Sequence, residues 1–138
     1  MINLGADVDA SNNNGYTPLC YAVQDGYLEI VKLLLERGAK LNVVTDKGNS
    51  PLHLAALQGH LEVARLLIKQ GLDIELKNTT NYTPLHIAAG KGHIEVVKLL
   101  IEKGAKLNVR TSNGNTPLHL AAYQGRLDVA KLLIQKKL

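Results

Sequence analysis

The segment Thr83-Pro84-Leu85-His86-Ile87-Ala88-Ala89 occurs, with small changes, four times in the chain. The other three copies begin at Thr17, Ser50 and Thr116, so each copy starts 33 residues after the one before. A constant period of this length is typical of proteins built from stacked repeats. The sequence therefore predicts one array of similar units, held together by contacts between neighbours.

Each copy carries the residues that begin and end a helix. The Thr or Ser side chain can accept a hydrogen bond from a free N–H of the first turn, and the proline that follows suits the first helical position. The pattern predicts a first helix of about nine residues, ending at Gly26, Gly59, Gly92 or Gly125. A second helix with apolar residues at three- and four-residue spacing follows, and in three copies it ends at Gly38, Gly71 or Gly104.

A polar turn separates one helix pair from the next. Gly15, Gly48 and Gly114 occupy a position in this turn that we expect to need a positive φ angle. The third copy has Asn81 at the same position, and asparagine is the residue other than glycine that best tolerates that conformation. We therefore divide the single domain, 1–138, into the tail of a truncated repeat (1–11) and four repeats (12–44, 45–77, 78–110 and 111–138).

The composition narrows the class of protein. The chain has no Trp and no Phe, so its core must be built from Leu, Ile, Val and Ala. Its net charge of +4 is spread over intermixed cations and carboxylates, which favours neither nucleic acid nor a membrane as a partner. No apolar run has the length of a membrane span, and residues 1–5 lack the features of a signal peptide. The single Cys20 fits a reducing compartment. We expect an intracellular, cytoplasmic protein, with the nucleus or the cytosol of a host cell as alternatives.

The histidines do not predict a metal site. His53, His86 and His119 recur at the same point of successive repeats, and packed helices lie about 8–10 Å apart. Zinc needs ligands that converge on one point, so this ladder predicts histidines that bond to neighbouring backbone. His60 and His93 are expected to be capping or surface residues, and Cys20 a small buried filler. No nucleophile–base pair, phosphate-binding loop or cofactor motif is present, so we expect neither catalysis nor a cofactor.

The repeated phrases resemble one known family. Thr-Pro-Leu-His-x-Ala-Ala, then Gly-His-x-Glu-Val-Val-Lys-Leu-Leu-Ile, then Gly-Ala-x-Leu-Asn is similar to the ankyrin repeat over essentially the whole chain. The resemblance implies an all-α solenoid of stacked helix-turn-helix layers with projecting hairpin-like loops. The chain departs from the family pattern at Cys20, which replaces the usual His, and at Asn12, Thr45, Asn78 and Thr111, where the family often has Asp.

The resemblance also implies a surface for a partner protein, formed by the loop tips and the exposed side of the first helices. These are also the positions at which the four copies agree least. We expect the partner-binding residues to be Tyr16, Gln24, Asp25, Asp46, Lys47, Asn49, Leu57, Gln58, Thr80, Tyr82, Lys91, Asn113, Asn115, Tyr123 and Gln124. Tyr16, Leu57, Tyr82 and Tyr123 are expected to be exposed apolar anchors, and Gly90 is expected to leave an opening.

The sequence leaves three readings of the function open. The first is a non-catalytic module that binds another protein through its concave face. The second is a structural spacer, or a fragment of a longer scaffold. The third is an engineered binder of the same type. Uncovered terminal repeats, with apolar surface expected near Val129 and Leu133, also predict end-to-end self-association.

Overall fold

The computed structural model describes residues 5–135, and in this range the chain forms eight helices and no strand. The helices are α1 (Pro18–Gln24), α2 (Leu28–Glu36), α3 (Pro51–Gln58), α4 (Leu61–Lys69), α5 (Pro84–Lys91), α6 (Ile94–Glu102), α7 (Pro117–Tyr123) and α8 (Leu127–Gln135). Each sequence copy thus forms one pair of helices. Within residues 5–135 no helix has both the length and the apolar character needed to cross a membrane.

The helix boundaries follow the predicted local signals. The Oγ atoms of Ser50 and Thr83 accept hydrogen bonds from the backbone N–H groups of His53 and His86, and a proline occupies the first turn each time. Gly59, at the end of α3, has a φ of 75°. Asn81 has a φ of 63°, which confirms the expected conformation of the inter-repeat turn. The first helices have seven or eight residues, slightly fewer than expected, because each ends one or two residues before the glycine that adopts the left-handed conformation.

The core lies where one pair of helices stacks on the next. The first helices pack in a row, α1 on α3, α3 on α5 and α5 on α7. The paired alanines Ala55, Ala56, Ala88 and Ala89 are fully buried in this row, which lets the helices approach closely. Cys20 is fully buried as well, and its Sγ accepts a hydrogen bond of 3.4 Å from the Thr17 hydroxyl, so the prediction of a buried filler is confirmed.

Buried histidines tie the second and third repeats to the repeats that follow them. His53 Nδ1 accepts a hydrogen bond of 3.1 Å from the Ser50 N–H, so the ring proton lies on Nε2. Nε2–H donates to the Tyr82 carbonyl oxygen, 2.8 Å away in the next repeat. His86 accepts from the Thr83 N–H in the same way, and its Nε2–H donates to the Asn115 carbonyl oxygen of the next repeat at 3.2 Å and to the Val109 carbonyl oxygen of its own repeat at 2.8 Å. The prediction that these histidines bond backbone and fix a loop to a helix is confirmed.

The histidines that follow the middle glycines act across repeats. His60 Nε2–H donates to the Gln24 carbonyl oxygen at 2.9 Å, and His93 Nε2–H donates to the Leu57 carbonyl oxygen at 3.0 Å. These carbonyls belong to the last turns of α1 and α3, where the helix supplies no donor. The expected capping role is therefore confirmed. Each histidine, however, caps the first helix of the preceding repeat, and its side chain makes no capping hydrogen bond to the helix that follows it, α4 or α6.

The prediction that uncovered apolar surface at the carboxyl end lies near Val129 and Leu133 was wrong. Val129 and Leu133 are buried, at 1% and 8% exposure, because one face of α8 turns toward the preceding helices. Leu127 and Ile134, seven residues apart on another face, are 64% and 67% exposed instead. At the amino end Ile30 and Leu33 are 47% and 48% exposed, whereas Val63 and Val96, which occupy the position of Ile30 in later repeats, are buried. Both terminal helix pairs of the described stack thus present apolar side chains.

The buried histidines predict that acid weakens the fold. Burial is the main cause that lowers the pKa of His53 and of His86 below the ordinary 6.5. The unfolded chain therefore binds more protons than the folded chain as the pH falls through this range, so stability is full above 6.5 and is lost below it. We expect the urea midpoint to fall steadily between about pH 7 and pH 5.

The control for this pH dependence is the variant His86→Gln, which removes one titrating ring. Its stability at pH 7 will be lower, but its further loss toward pH 5 should be smaller than in the wild type. Equal losses in the two proteins would show that carboxylates, and not the buried histidines, cause the acid sensitivity.

Candidate functional site

The expected partner-binding residues fall into two clusters and four separate positions. One cluster, near the amino end, contains Tyr16, Gln24, Asp46, Lys47 and Asn49. The other contains Leu57, Thr80, Tyr82, Lys91, Asn113 and Gln124. Asp25, Gln58 and Tyr123 are exposed and Asn115 is half-buried, and these four line neither of the grooves described below. We call the fifteen residues together the loop-side face.

The loop tips are held in line by backbone hydrogen bonds from one repeat to the next. Asp46 N–H donates to the Asn14 carbonyl oxygen at 3.0 Å, and Thr79 N–H donates to the Lys47 carbonyl oxygen at 3.1 Å. Ser112 N–H donates in the same way to the Thr80 carbonyl oxygen at 3.0 Å. The spacing of the tips is therefore fixed by the stack, which makes the loops a regular surface.

Side-chain oxygens shape each loop at the position where the family often has aspartate. Asn78 Oδ1 accepts hydrogen bonds from the N–H groups of Thr80 and Tyr82, both at 3.0 Å. Thr111 Oγ1 accepts one bond, from the Asn115 N–H at 3.2 Å. Asparagine and threonine thus supply the acceptor that closes this turn without adding a negative charge.

Two grooves lie between adjacent loop tips. The first, of about 300 Å³, is lined by Asn14, Tyr16, Thr45, Asp46, Lys47 and Asn49. The second, of about 400 Å³, is lined by Asn78, Thr80, Tyr82, Thr111, Ser112 and Asn113. Asparagine amides and threonine or serine hydroxyls line both grooves, so both can offer hydrogen bonds to an extended chain.

A third depression lies over α5, and we call it the Gly90 groove. It has a volume of about 290 Å³ and an apolar floor formed by Leu57, Ile87 and Leu120. The ring of Tyr82, which packs edge-on against His86 at 5.7 Å between centroids, forms one wall. The opening expected at Gly90 is therefore present in the structure.

The rim of the Gly90 groove is cationic. Lys91 is exposed and forms no ion pair within residues 5–135. Arg126 Nε–H donates to the Gly90 carbonyl oxygen at 3.1 Å, and its Nη atoms have no hydrogen-bond partner in the described part of the chain. No carboxylate lines the groove among the described residues. The second helices differ, because there Lys32, Arg65 and Lys98 each pair with a glutamate three residues earlier.

Gly90 is not required by the backbone. Its φ is not positive, unlike that of ten other glycines within residues 5–135. Among the described residues, a Cβ atom built on Gly90 would meet only Leu120 Cβ, at an ordinary contact distance of 3.6 Å. The same position in the other repeats carries the side chains of Gln24, Leu57 and Tyr123. The missing side chain therefore opens the groove and serves no visible packing purpose.

We expect Gly90→Ala to stabilise the protein by about 1 kcal/mol, the usual difference between these residues inside a helix. The added methyl group fits beside Leu120, so no strain offsets the gain in helix propensity. Urea unfolding followed by circular dichroism measures the change. A loss of stability would show that α5 has a need for glycine that its φ angle and free space do not reveal.

Three of the four expected apolar anchors are less exposed than the sequence suggested. Tyr123 is 86% exposed, but Tyr16, Leu57 and Tyr82 are half-buried because the loops fold back against the first helices. Tyr16 donates its hydroxyl hydrogen to Gln24 Oε1 at 2.9 Å and lies against Tyr21, with 4.9 Å between ring centroids. Burial, followed by the nearby Cys20 and Tyr21, raises the pKa of the Tyr16 phenol.

Sequence reasoning missed four residues of the Gly90 groove, namely His86, Ile87, Leu120 and Arg126. Ile87 and Leu120 stand at the variable position of the repeated motif, to which the sequence assigned no role, and both are half-buried. Arg126 occupies the position of His60 and His93, and that substitution was the available signal. Among the described residues no group of three or more His, Cys, Asp or Glu side chains could hold a metal ion.

Comparison with known proteins agrees with this architecture. A family model described as ankyrin repeats (3 copies) matches residues 1–78 and 70–138. An ankyrin repeat protein of Fowlpox virus (strain NVSL) is 49% identical over 39 residues, which cover 28% of this chain and 9% of the viral protein. This match spans less than a tenth of the viral protein, so it bears on the repeat alone. Since the family model extends over the whole sequence, the chain belongs to the ankyrin-repeat family.

Proposed function

We propose that this chain is a non-catalytic module that binds another protein through its loop-side face. Ankyrin repeats are generally protein–protein interaction modules and are typically not enzymes. The observation that carries the proposal is the row of three depressions along this face, two between loop tips and one over Gly90. A rigid stack that presents a row of grooves suits an extended partner surface.

The test compares two variants with the same chemical changes on different faces. The first double variant, Lys91→Glu with Tyr123→Ala, alters the loop-side face. The second, Lys98→Glu with Tyr27→Ala, alters an exposed lysine and an exposed tyrosine that lie outside this face. Each tagged protein, checked to be folded, is used to capture partners from a cytosolic lysate, and the affinity of the captured protein is then measured by calorimetry. We expect the first variant to lose at least tenfold in affinity and the second to bind like the wild type.

Equal loss in both variants, or in neither, would reject the loop-side face as the binding surface. Capture of no protein by the wild type would instead favour the alternative in which the chain is a spacer within a longer scaffold. That alternative predicts no tight binding by any face of the isolated chain.

A second proposal concerns the two ends of the stack, where a second copy of the chain can pack. The exposed Ile30 and Leu33 would cover the exposed Leu127 and Ile134, and Val63, which occupies the position of Ile30 between internal repeats, is buried. Such a contact joins different surfaces of the two copies and forms open chains. Light scattering over a concentration series should show growth that Ile134→Lys abolishes. A monomer at every concentration would reject this proposal.

A further inference from the structure

We propose that the Gly90 groove is an anchor site for one apolar side chain of the partner that lies beside a carboxylate. The proposal rests on the proposed function and names the chemistry of the segment that is bound. The candidate partner is therefore a protein segment with an aliphatic or aromatic residue next to Asp or Glu.

The size and floor of the groove select the apolar part of the ligand. Its volume of about 290 Å³ is at the lower end of ordinary ligand pockets, about 300–1,000 Å³, so it suits one side chain. Leu57, Ile87 and Leu120 line it from three successive repeats, and the Tyr82 ring closes one side. A side chain placed there removes apolar surface from water on both partners.

The cationic rim of the Gly90 groove favours a negatively charged group on the partner. Lys91 is exposed in the last turn of α5, and the Arg126 guanidinium is oriented by its bond to the Gly90 carbonyl oxygen. Arginine in a fixed orientation favours a carboxylate, to which it can donate two parallel hydrogen bonds. The absence of a lining carboxylate from residues 5–135 leaves both cations available to an incoming anion.

Gly90 connects the two features. Gly90 is part of the lining of the groove, so a side chain at this position would take up space there, and the corresponding positions of the other repeats carry the side chains of Gln24, Leu57 and Tyr123. Glycine weakens a helix interior, and here neither a positive φ angle nor a close contact requires it. A residue that lowers local stability, and that the surrounding structure does not require, is expected at functional positions.

The experiment selects peptides and then alters the groove. A phage library of random 12-residue peptides is selected on the whole chain, and the enriched peptides are synthesised for fluorescence polarisation. We expect the enriched sequences to share an apolar residue adjacent to Asp or Glu. We expect Gly90→Leu to weaken their binding at least tenfold and Lys91→Glu at least fivefold, with weaker binding as salt is raised.

Matched controls separate the groove from general effects. Gln70→Leu introduces leucine at the end of α4, and Lys98→Glu makes the same charge reversal on α6; neither position lines the groove, so both variants should bind like the wild type. Replacing the peptide carboxylate by lysine should weaken binding to the wild type and restore it in Lys91→Glu. Circular dichroism confirms that every variant is folded.

Three outcomes would overturn the proposal. They are enrichment of no peptide, enriched peptides without a carboxylate, and equal binding by wild type and Gly90→Leu. If a protein partner is lost from the variant Lys91→Glu with Tyr123→Ala but is kept by Gly90→Leu, the proposed function stands and the anchor site fails. If no protein or peptide binds, both fail.

Discussion

Replacing His86 by Ala should lower the free energy of unfolding by about 3 kcal/mol, which combines a lost buried hydrogen-bond network with a cavity. His86 is fully buried, and its Nδ1 accepts from the Thr83 N–H. Its Nε2–H donates to the carbonyl oxygens of Val109 and Asn115, at 2.8 and 3.2 Å. Alanine leaves all three backbone groups without this partner at the junction between the third and fourth repeats.

His119 provides the matched control, because it occupies the same position in the fourth repeat. It accepts from the Thr116 N–H at 3.1 Å but is exposed, and Nε2 has no partner in the described part of the chain. Water can replace what His119→Ala removes, so we expect a loss of about 1 kcal/mol, the usual value of a helix cap. Urea unfolding by circular dichroism compares the two variants. Equal losses would show that the bond between repeats adds nothing to the local cap.

The second large effect is expected for Gly59→Ala, with a loss of about 3 kcal/mol from the left-handed backbone and a steric clash together. Gly59 has a φ of 75°, and an added Cβ would lie only 2.5 Å from His93 Nδ1. The His93 ring cannot move aside freely, because its Nε2–H bond of 3.0 Å to the Leu57 carbonyl oxygen fixes it. The substitution therefore both strains the turn and breaks the hydrogen bond by which His93 caps α3.

Gly125→Ala separates these two causes. Gly125 has a similar φ of 72°, but no atom of residues 5–135 lies within 4 Å of its added Cβ. Only the cost of the left-handed conformation remains, which is about 1 kcal/mol. Thermal melts of both variants give the comparison. If Gly125→Ala proves as damaging as Gly59→Ala, then backbone conformation alone explains the glycine, and the approach of His93 is irrelevant.

Both comparisons measure the coupling between neighbouring repeats. In each pair the local chemistry is the same, and only the contact with the following repeat differs. The differences should therefore report how much each junction contributes to the stability of the stack, which in repeat proteins is approximately a sum of such terms.

The sequence was sufficient for the features that depend on residues close together in the chain. Helix starts at Ser50 and Thr83, the glycine turns and the positive φ of Asn81 all follow from groups within four residues of one another. The fixed period then repeated these local signals from copy to copy, which is why the succession of helix pairs could be predicted.

Only the tertiary structure decided which surfaces neighbouring repeats create together. The Gly90 groove takes its floor from three repeats, and the caps by His60, His93 and Arg126 join residues 36 positions apart. The burial of Val129 and the exposure of Ile134 likewise depend on how α8 is rotated against its neighbours. The constant period predicts that the repeats stack. The rotation and separation of the stacked helices follow from side-chain packing at each junction between repeats, where the four copies differ.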